Sequence, residues 1–205
     1  MAPNDVRLHQ LFDAIAKGDE ETVSEFLMAE PGLAQRAVTK TNKPDESQEY
    51  FLPEIHLQIY AGDTALHVAA ASYNSDLVRQ LIEKGADIRA KNRRGAEPLH
   101  SAMVGSPGSD HWNPEAQAEL VLCLVGYGAD PNAVDVGGVT PLHRASRNRC
   151  SSAVRALLEV GADARLTTKK GTTALQLARH SNGRGGTGSQ ASKVQQRQIM
   201  ALLEL

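Results

Sequence analysis

The residues able to do chemistry are scattered along this chain. Near its C-terminal end, residues 182–190 read NGRGGTGSQ, which places Gly183, Gly185 and Gly188 in a G-x-G-x-x-G spacing ahead of a helix-forming stretch. After a strand and at the start of a helix, such glycines let backbone N–H groups cradle the pyrophosphate of a dinucleotide. His67, His100 and His143 are candidate metal ligands or bases, and Asp110 beside His111 offers two further ligands. Of the two thiols, Cys123 lies in the apolar run LVLCLV and reads as a small core residue. Cys150 has Arg147 and Arg149 as neighbours and reads as the more exposed, with a pKa that nearby positive charge would lower.

What is missing from the sequence narrows these options. It contains no Gly-Lys-Ser/Thr phosphate loop, no G-x-S-x-G elbow, no H-E-x-x-H pair and no C-x-x-C pair. Two cysteines cannot form a disulfide scaffold, and reduced thiols are expected. The N-terminus MAPNDVRLHQ has no apolar signal core, and no apolar run approaches the roughly 20 residues that span a bilayer, so a cytoplasmic protein is expected.

The 205 residues suit one domain with a substantial core, and the formal net charge of −2 implies no general attraction to nucleic acid or membrane. Charge nevertheless alternates along the chain. Lys and Arg against Asp and Glu number 5 and 11 in residues 1–61, 6 and 4 in 62–94, none and 6 in 95–137, and 11 and 3 in 138–205.

The elements that must position these residues are set by a repeat. GDTALHVAA begins at Gly62, GAEPLHSAM at Gly95, GVTPLHRAS at Gly138 and GTTALQLAR at Gly171, at intervals of 33, 43 and 33 residues. Gly-Ala-Asp recurs at Gly85, Gly128 and Gly161. Thr64, Thr140 and Thr173 stand where a side-chain oxygen caps a helix, and Pro98 and Pro141 occupy a first helical turn. Leu142, Ala145, Val154, Leu157 and Leu158 fall at helical spacing across two short helices, and the glycine of Gly-Ala-Asp supplies the left-handed residue that ends the second.

A period of 33 with TPLHxA followed by VxxLLxxGAD resembles the ankyrin repeat, a turn and two antiparallel helices per unit. The resemblance covers nearly the whole chain and implies an all-α solenoid of five helix-turn-helix repeats with short hairpin fingers. Its boundaries are expected at 1–30 for an acidic-faced N-terminal cap, 31–61 for a long insertion, 62–94, 95–137 with an insertion at 104–119, 138–170, and 171–205 for a C-terminal cap holding the glycine loop. Near-consensus repeats with no attached catalytic region look like the stand-alone ankyrin proteins of bacteria.

This frame reassigns the chemical candidates. The glycine loop joins two helices with no strand before it, so it reads as a flexible connection, with Arg184 and a helix N-terminus offering at most weak anion binding. His67, His100 and His143 occupy one equivalent position, where the resemblance implies an imidazole that ties adjacent turns together. No catalytic residue, metal or cofactor is expected.

Individuality then lies in the departures and the charges. The 31–61 insertion carries Tyr50, Phe51 and Tyr60, and its apolar part, FLPEIHLQIY, reads as folding back over the scaffold. Trp112, the single tryptophan, stands in the second insertion as a packing residue or a partner anchor. On the concave face the resemblance places Arg89, Lys91, Arg93 and Arg94 in one finger, Arg144 and Arg147 on a first helix, and Arg165, Lys169 and Lys170 in the next finger. The resulting expectation is a monomeric, non-catalytic module that binds a protein partner of acidic character through Arg89, Arg93, Arg94, Arg144, Arg147 and Arg165, with Trp112 as anchor. Two alternatives stand beside it: anion or nucleic-acid binding on the basic C-terminal third, which is weakened by the lack of interleaved aromatics, and a small-molecule or catalytic site under the 31–61 insertion near His56 and Tyr60.

Overall fold

A computed structural model describes residues 3–39, 51–180 and 189–204. Short helices pair in sequence order: α1 (Pro3–Lys17) with α2 (Glu20–Ala29), α3 (Ala65–Ala71) with α4 (Ser75–Glu83), α5 (Pro98–Ser101) with α6 (Pro114–Gly126), α7 (Pro141–Asn148) with α8 (Ser151–Glu159), and α9 (Ala174–His180) with α10 (Gln190–Leu203). The first helix of each pair packs on the first helix of the next, and α4, α6, α8 and α10 stack behind them in a second layer. One continuous apolar core runs between the layers, from Leu8, Leu11 and Ile15 through Leu66, Leu99 and Leu142 to Ile199. The fold is the all-α solenoid expected. Among the described residues no helix is long and apolar enough to cross a membrane.

Local signals start and stop these helices. Asp19, Asn74 and Asn113 accept hydrogen bonds from first-turn N–H groups of α2, α4 and α6, at 3.0 Å from Thr22, 2.9 Å from Leu77 and 3.0 Å from Ala116. Asn74 and Asn113 stand outside the repeated motifs, yet they do for the second helices what threonine does for the first. Gly85, Gly128 and Gly161 carry positive φ just past α4, α6 and α8.

Between repeats the chain makes hairpin fingers, with tips at Ala61–Gly62, Arg93–Gly95, Val136–Gly138 and Lys169–Gly171. Main-chain hydrogen bonds join each tip to the next: Arg93 N–H to Ala61 O at 2.7 Å, Val136 N–H to Arg94 O at 2.9 Å, and Lys169 N–H to Gly137 O at 2.9 Å. The histidines add a second row of ties. The Nε2 atoms of His67, His100 and His143 lie 3.1, 2.9 and 3.0 Å from the carbonyls of Ala96, Val139 and Thr172 in the following finger. Each Nδ1 accepts the N–H of Thr64, Glu97 or Thr140 at 3.2 Å. In the last repeat Gln176 Oε1 does the same for Thr173 N–H at 2.9 Å. The imidazoles are therefore tethers, as the resemblance implies.

The insertions depart from the regular unit in two ways. Residues 51–60 form a small strap: β1 (Phe51–Leu52) and β2 (Leu57–Gln58) pair antiparallel around a 3₁₀ turn at Pro53–Ile55 that packs on α1. Leu52, Ile55, Leu57 and Ile59 are buried, so this stretch does fold back over the scaffold. In the third repeat α5 is a single turn, and only residues up to 113 leave the helical path. Pro114 opens α6 at the first-turn position that tolerates it, so residues 114–119 lengthen the second helix instead of extending the loop.

At the far end, α10 docks through Ile199, Met200, Leu202 and Leu203 and through a set of polar groups. Arg149 donates to Ser192 Oγ at 2.7 Å, and the Ser151 hydroxyl and N–H both reach Gln195 Oε1, at 2.5 and 3.0 Å. Gly183, Gly185, Gly188 and Arg184 of the glycine loop lie outside the described residues, as does Tyr50.

Candidate partner-binding face

The basic residues stand on the fingers and on α7, and they differ in how much of their charge is spent within the chain. Arg144 is 17% exposed, and its guanidinium is held 3.1 Å from Asp135 Oδ2 and 3.4 Å from His100 O. Asp135 also accepts the N–H groups of Gly137 at 2.8 Å and Val139 at 3.0 Å. Burial alone would raise the Asp135 pKa, but these N–H groups and the guanidinium outweigh it and hold the carboxyl low. Arg144 is thus a clamp between helix α7 and the third finger, a different role from the exposed contact residue expected of it.

Arg89 and Lys91 flank Glu97, a carboxylate only 1% exposed, at 3.8 and 3.7 Å, and Arg89 also reaches Asp130 of the next repeat at 3.4 Å. Arg165 projects fully into solvent at 91% exposure, yet it folds onto its own Asp163 at 2.9 Å. Arg147 is exposed on α7.

Arg93 and Arg94 are different. Both are exposed and lie over the Tyr60 ring, 4.9 and 5.3 Å from its centroid, and Arg94 donates to the Tyr60 hydroxyl at 3.3 Å. An aromatic ring attracts a cation without cancelling its charge. Tyr60 is a platform that sequence reasoning missed as such; its position one residue before the first finger tip was the available signal.

The strap continues from Tyr60 toward the turns at the opposite end of the helices. The His56 ring stacks on His111 at 5.1 Å, with Phe51 edge-on to His56 at 6.4 Å, while His111 stacks on Tyr73 at 6.4 Å. The two insertions therefore meet through their aromatic rings. His56 and Tyr60 are taken up by these contacts. A cavity of about 500 Å³ nearby, at the starts of α2, α4 and α6, is lined by Glu20, Tyr73, Asp76, His111 and Glu119, but by neither His56 nor Tyr60. Among the described residues no group of three or more His, Cys, Asp or Glu side chains could hold a metal.

Trp112 is half-buried against the core, with its indole N–H donating to Gln117 Oε1 at 3.0 Å. Gln117, fully buried, donates in turn to the carbonyls of Ala102 at 2.8 Å and Val104 at 3.2 Å. This network closes the loop over the shortened α5. Replacing Trp112 with phenylalanine would strand the Gln117 oxygen, and a loss of about 1–2 kcal/mol is expected. Urea denaturation of Trp112→Phe measures it, and an unchanged midpoint would deny the indole its closing role.

The thiols correct the sequence expectation. Cys150 is completely buried at the start of α8, and desolvation pushes its pKa up to about 12. Cys123 is the partly exposed one, also raised by burial. Arg149, which prompted the opposite expectation, adopts a left-handed backbone with φ of 63° and turns toward Ser192.

The sequence matches two family models, ankyrin repeats in three copies over residues 11–109 and ankyrin repeats in many copies over residues 124–178. It is similar to the E3 ubiquitin-protein ligase KEG of Arabidopsis thaliana, 31% identical over 163 residues that make up 77% of this chain and 10% of that protein. Ankyrin repeat and SOCS box protein 16 of Mus musculus is 34% identical over 117 residues, 56% of this chain and 25% of its own length. Cyclin-dependent kinase 4 inhibitor B of Rattus norvegicus is 36% identical over 101 residues, 49% of this chain and 69% of its own. The chain thus spans a small part of the first two relatives and about two thirds of the third. Ankyrin repeats are generally protein–protein interaction modules. Matched motifs, paired helices and histidine-tethered fingers agree, and the chain belongs to the ankyrin-repeat family.

Proposed function

We propose that this chain is a non-catalytic interaction module that takes a protein partner of acidic character on its fingers and first helices. The observation that carries the reading is the finger row itself: four tips tied edge to edge by main-chain hydrogen bonds, with Arg89, Arg93, Arg94, Arg147 and Arg165 exposed along or beside it. A row fixed in this way leaves little main-chain ordering to be lost on binding. Arg144 and Trp112 serve the face from behind, as clamp and closure. Two unbridged thiols suit a reducing, cytoplasmic setting.

The test is affinity capture from a lysate of the organism that encodes the chain, comparing the native protein with Arg93→Glu/Arg147→Glu/Arg165→Glu at matched helicity. Arg144 is left intact because its loss would strand Asp135. A protein retained by the native form and lost by the variant supports the reading. Equal retention moves the site off this face, and capture of nothing by either form removes the acidic-partner reading.

A further inference from the structure

We propose that the second, third and fourth finger tips dock an extended partner segment that is acidic at both ends and apolar in the middle. This rests on the protein-binding reading above and says what that partner presents.

The third tip is the centre of the row, bonded to Arg94 on one side and to Lys169 on the other. The stretch leading into it, Val134-Asp135-Val136, alternates, and Asp135 turns inward to Arg144, so the two valines face out at 49% and 63% exposure. Two apolar side chains held in water on a rigid turn gain free energy when something covers them. Each flank is cationic. Arg93 and Arg94 keep their charge over Tyr60, while Lys169 and Lys170 are exposed and make no ion pair among the described residues.

The neighbouring carboxylates do not offset these four charges. Asp63 is buried and bonded to Asn92 at 2.8 Å, Glu97 is buried between Arg89 and Lys91, Asp135 serves Arg144, and Asp163 serves Arg165. A partner with carboxylates flanking one or two aliphatic side chains satisfies both features at once. A nucleic-acid strand would meet the cations and leave Val134 and Val136 exposed, so the surface favours a peptide.

Fluorescence anisotropy with three labelled peptides tests this: Glu/Asp flanks around Leu-Val, the same flanks around Ser-Ser, and Lys flanks around Leu-Val. The first is expected to bind about tenfold more tightly than the second, and the third not at all. Val136→Ser should weaken the first peptide about tenfold while leaving the second unchanged. Lys169→Ser/Lys170→Ser should weaken both acidic peptides and flatten their salt dependence. These changes replace exposed side chains, and circular dichroism checks that each variant keeps its fold. Equal affinity for the two acidic peptides, indifference to Val136→Ser, no binding at all, or an oligothymidylate probe bound more tightly than the first peptide would each overturn the proposal. If the lysate partner is lost on the arginine variant while these peptides fail, the protein-binding reading stands and this inference alone falls.

Discussion

Replacing Gly62 with alanine is expected to cost about 3 kcal/mol or more, an unusually large loss for adding one methyl group. Gly62 has φ of +87°, and a Cβ there would sit 2.6 Å from Asn92 Cα and 3.0 Å from Lys91 O. Both are main-chain atoms of the next finger, so no side chain can swing aside. Nor can that finger retreat easily. Asn92 is buried, donates to Asp63 at 2.8 Å and accepts the N–H groups of Arg94 and Ala96 at 2.9 and 3.1 Å. Gly171 supplies the control, because its φ of +73° is similar and nothing lies within 4 Å of its would-be Cβ. Gly171→Ala should therefore lose only about 1 kcal/mol, the backbone part of the penalty. Urea denaturation of the two variants separates close finger approach from φ strain, and equal losses would refute the steric argument.

The same contrast marks what the sequence could and could not tell. Capping and helix ends follow from residues three or four apart, and such local relations survive translation by one repeat; the histidine tethers, which reach 29 to 39 residues along the chain, were legible only through the family resemblance. The strap was legible in the same sense, since alternating apolar residues such as Leu57 and Ile59 need a surface and the scaffold offers one. Its destination was not. His56 meets His111 because two insertions in different repeats converge, and no periodicity links them.

Charge was the least legible feature. A cluster of arginines in sequence reads as a basic surface, yet Arg144 is paired with Asp135 across a helix start and Arg89 with Asp130 in the following repeat. Conversely, the exposure of Val134 and Val136 depends on which way Asp135 turns, and that is decided by Arg144 and two finger N–H groups. The candidate face is thus set by pairings between elements, which spacing alone does not encode.

Acid should undo the tethers that hold the row together. His67 and His100 are fully buried and His143 nearly so, and desolvation lowers the pKa of all three from 6.5, with His100 reaching about 4. Each accepts a main-chain N–H at Nδ1, a role only the neutral ring can fill. Because the folded pKa lies below the unfolded one, the unfolded chain binds the extra protons between pH 6.5 and about 4, and stability falls as pH falls through that window. His100 alone accounts for about 3 kcal/mol across it, a slope of about 1 kcal/mol per pH unit. Glu97 works against the trend, since burial raises its pKa and the folded chain takes up that proton first. Gln176 shows that an amide can serve in the imidazole's place. His100→Gln is therefore expected to be less stable at neutral pH but to lose about 1 kcal/mol per pH unit less between pH 6 and 4.5 than the native chain. Urea titrations across that range decide it: parallel curves for the two proteins would mean that His100 does not take up its proton on unfolding.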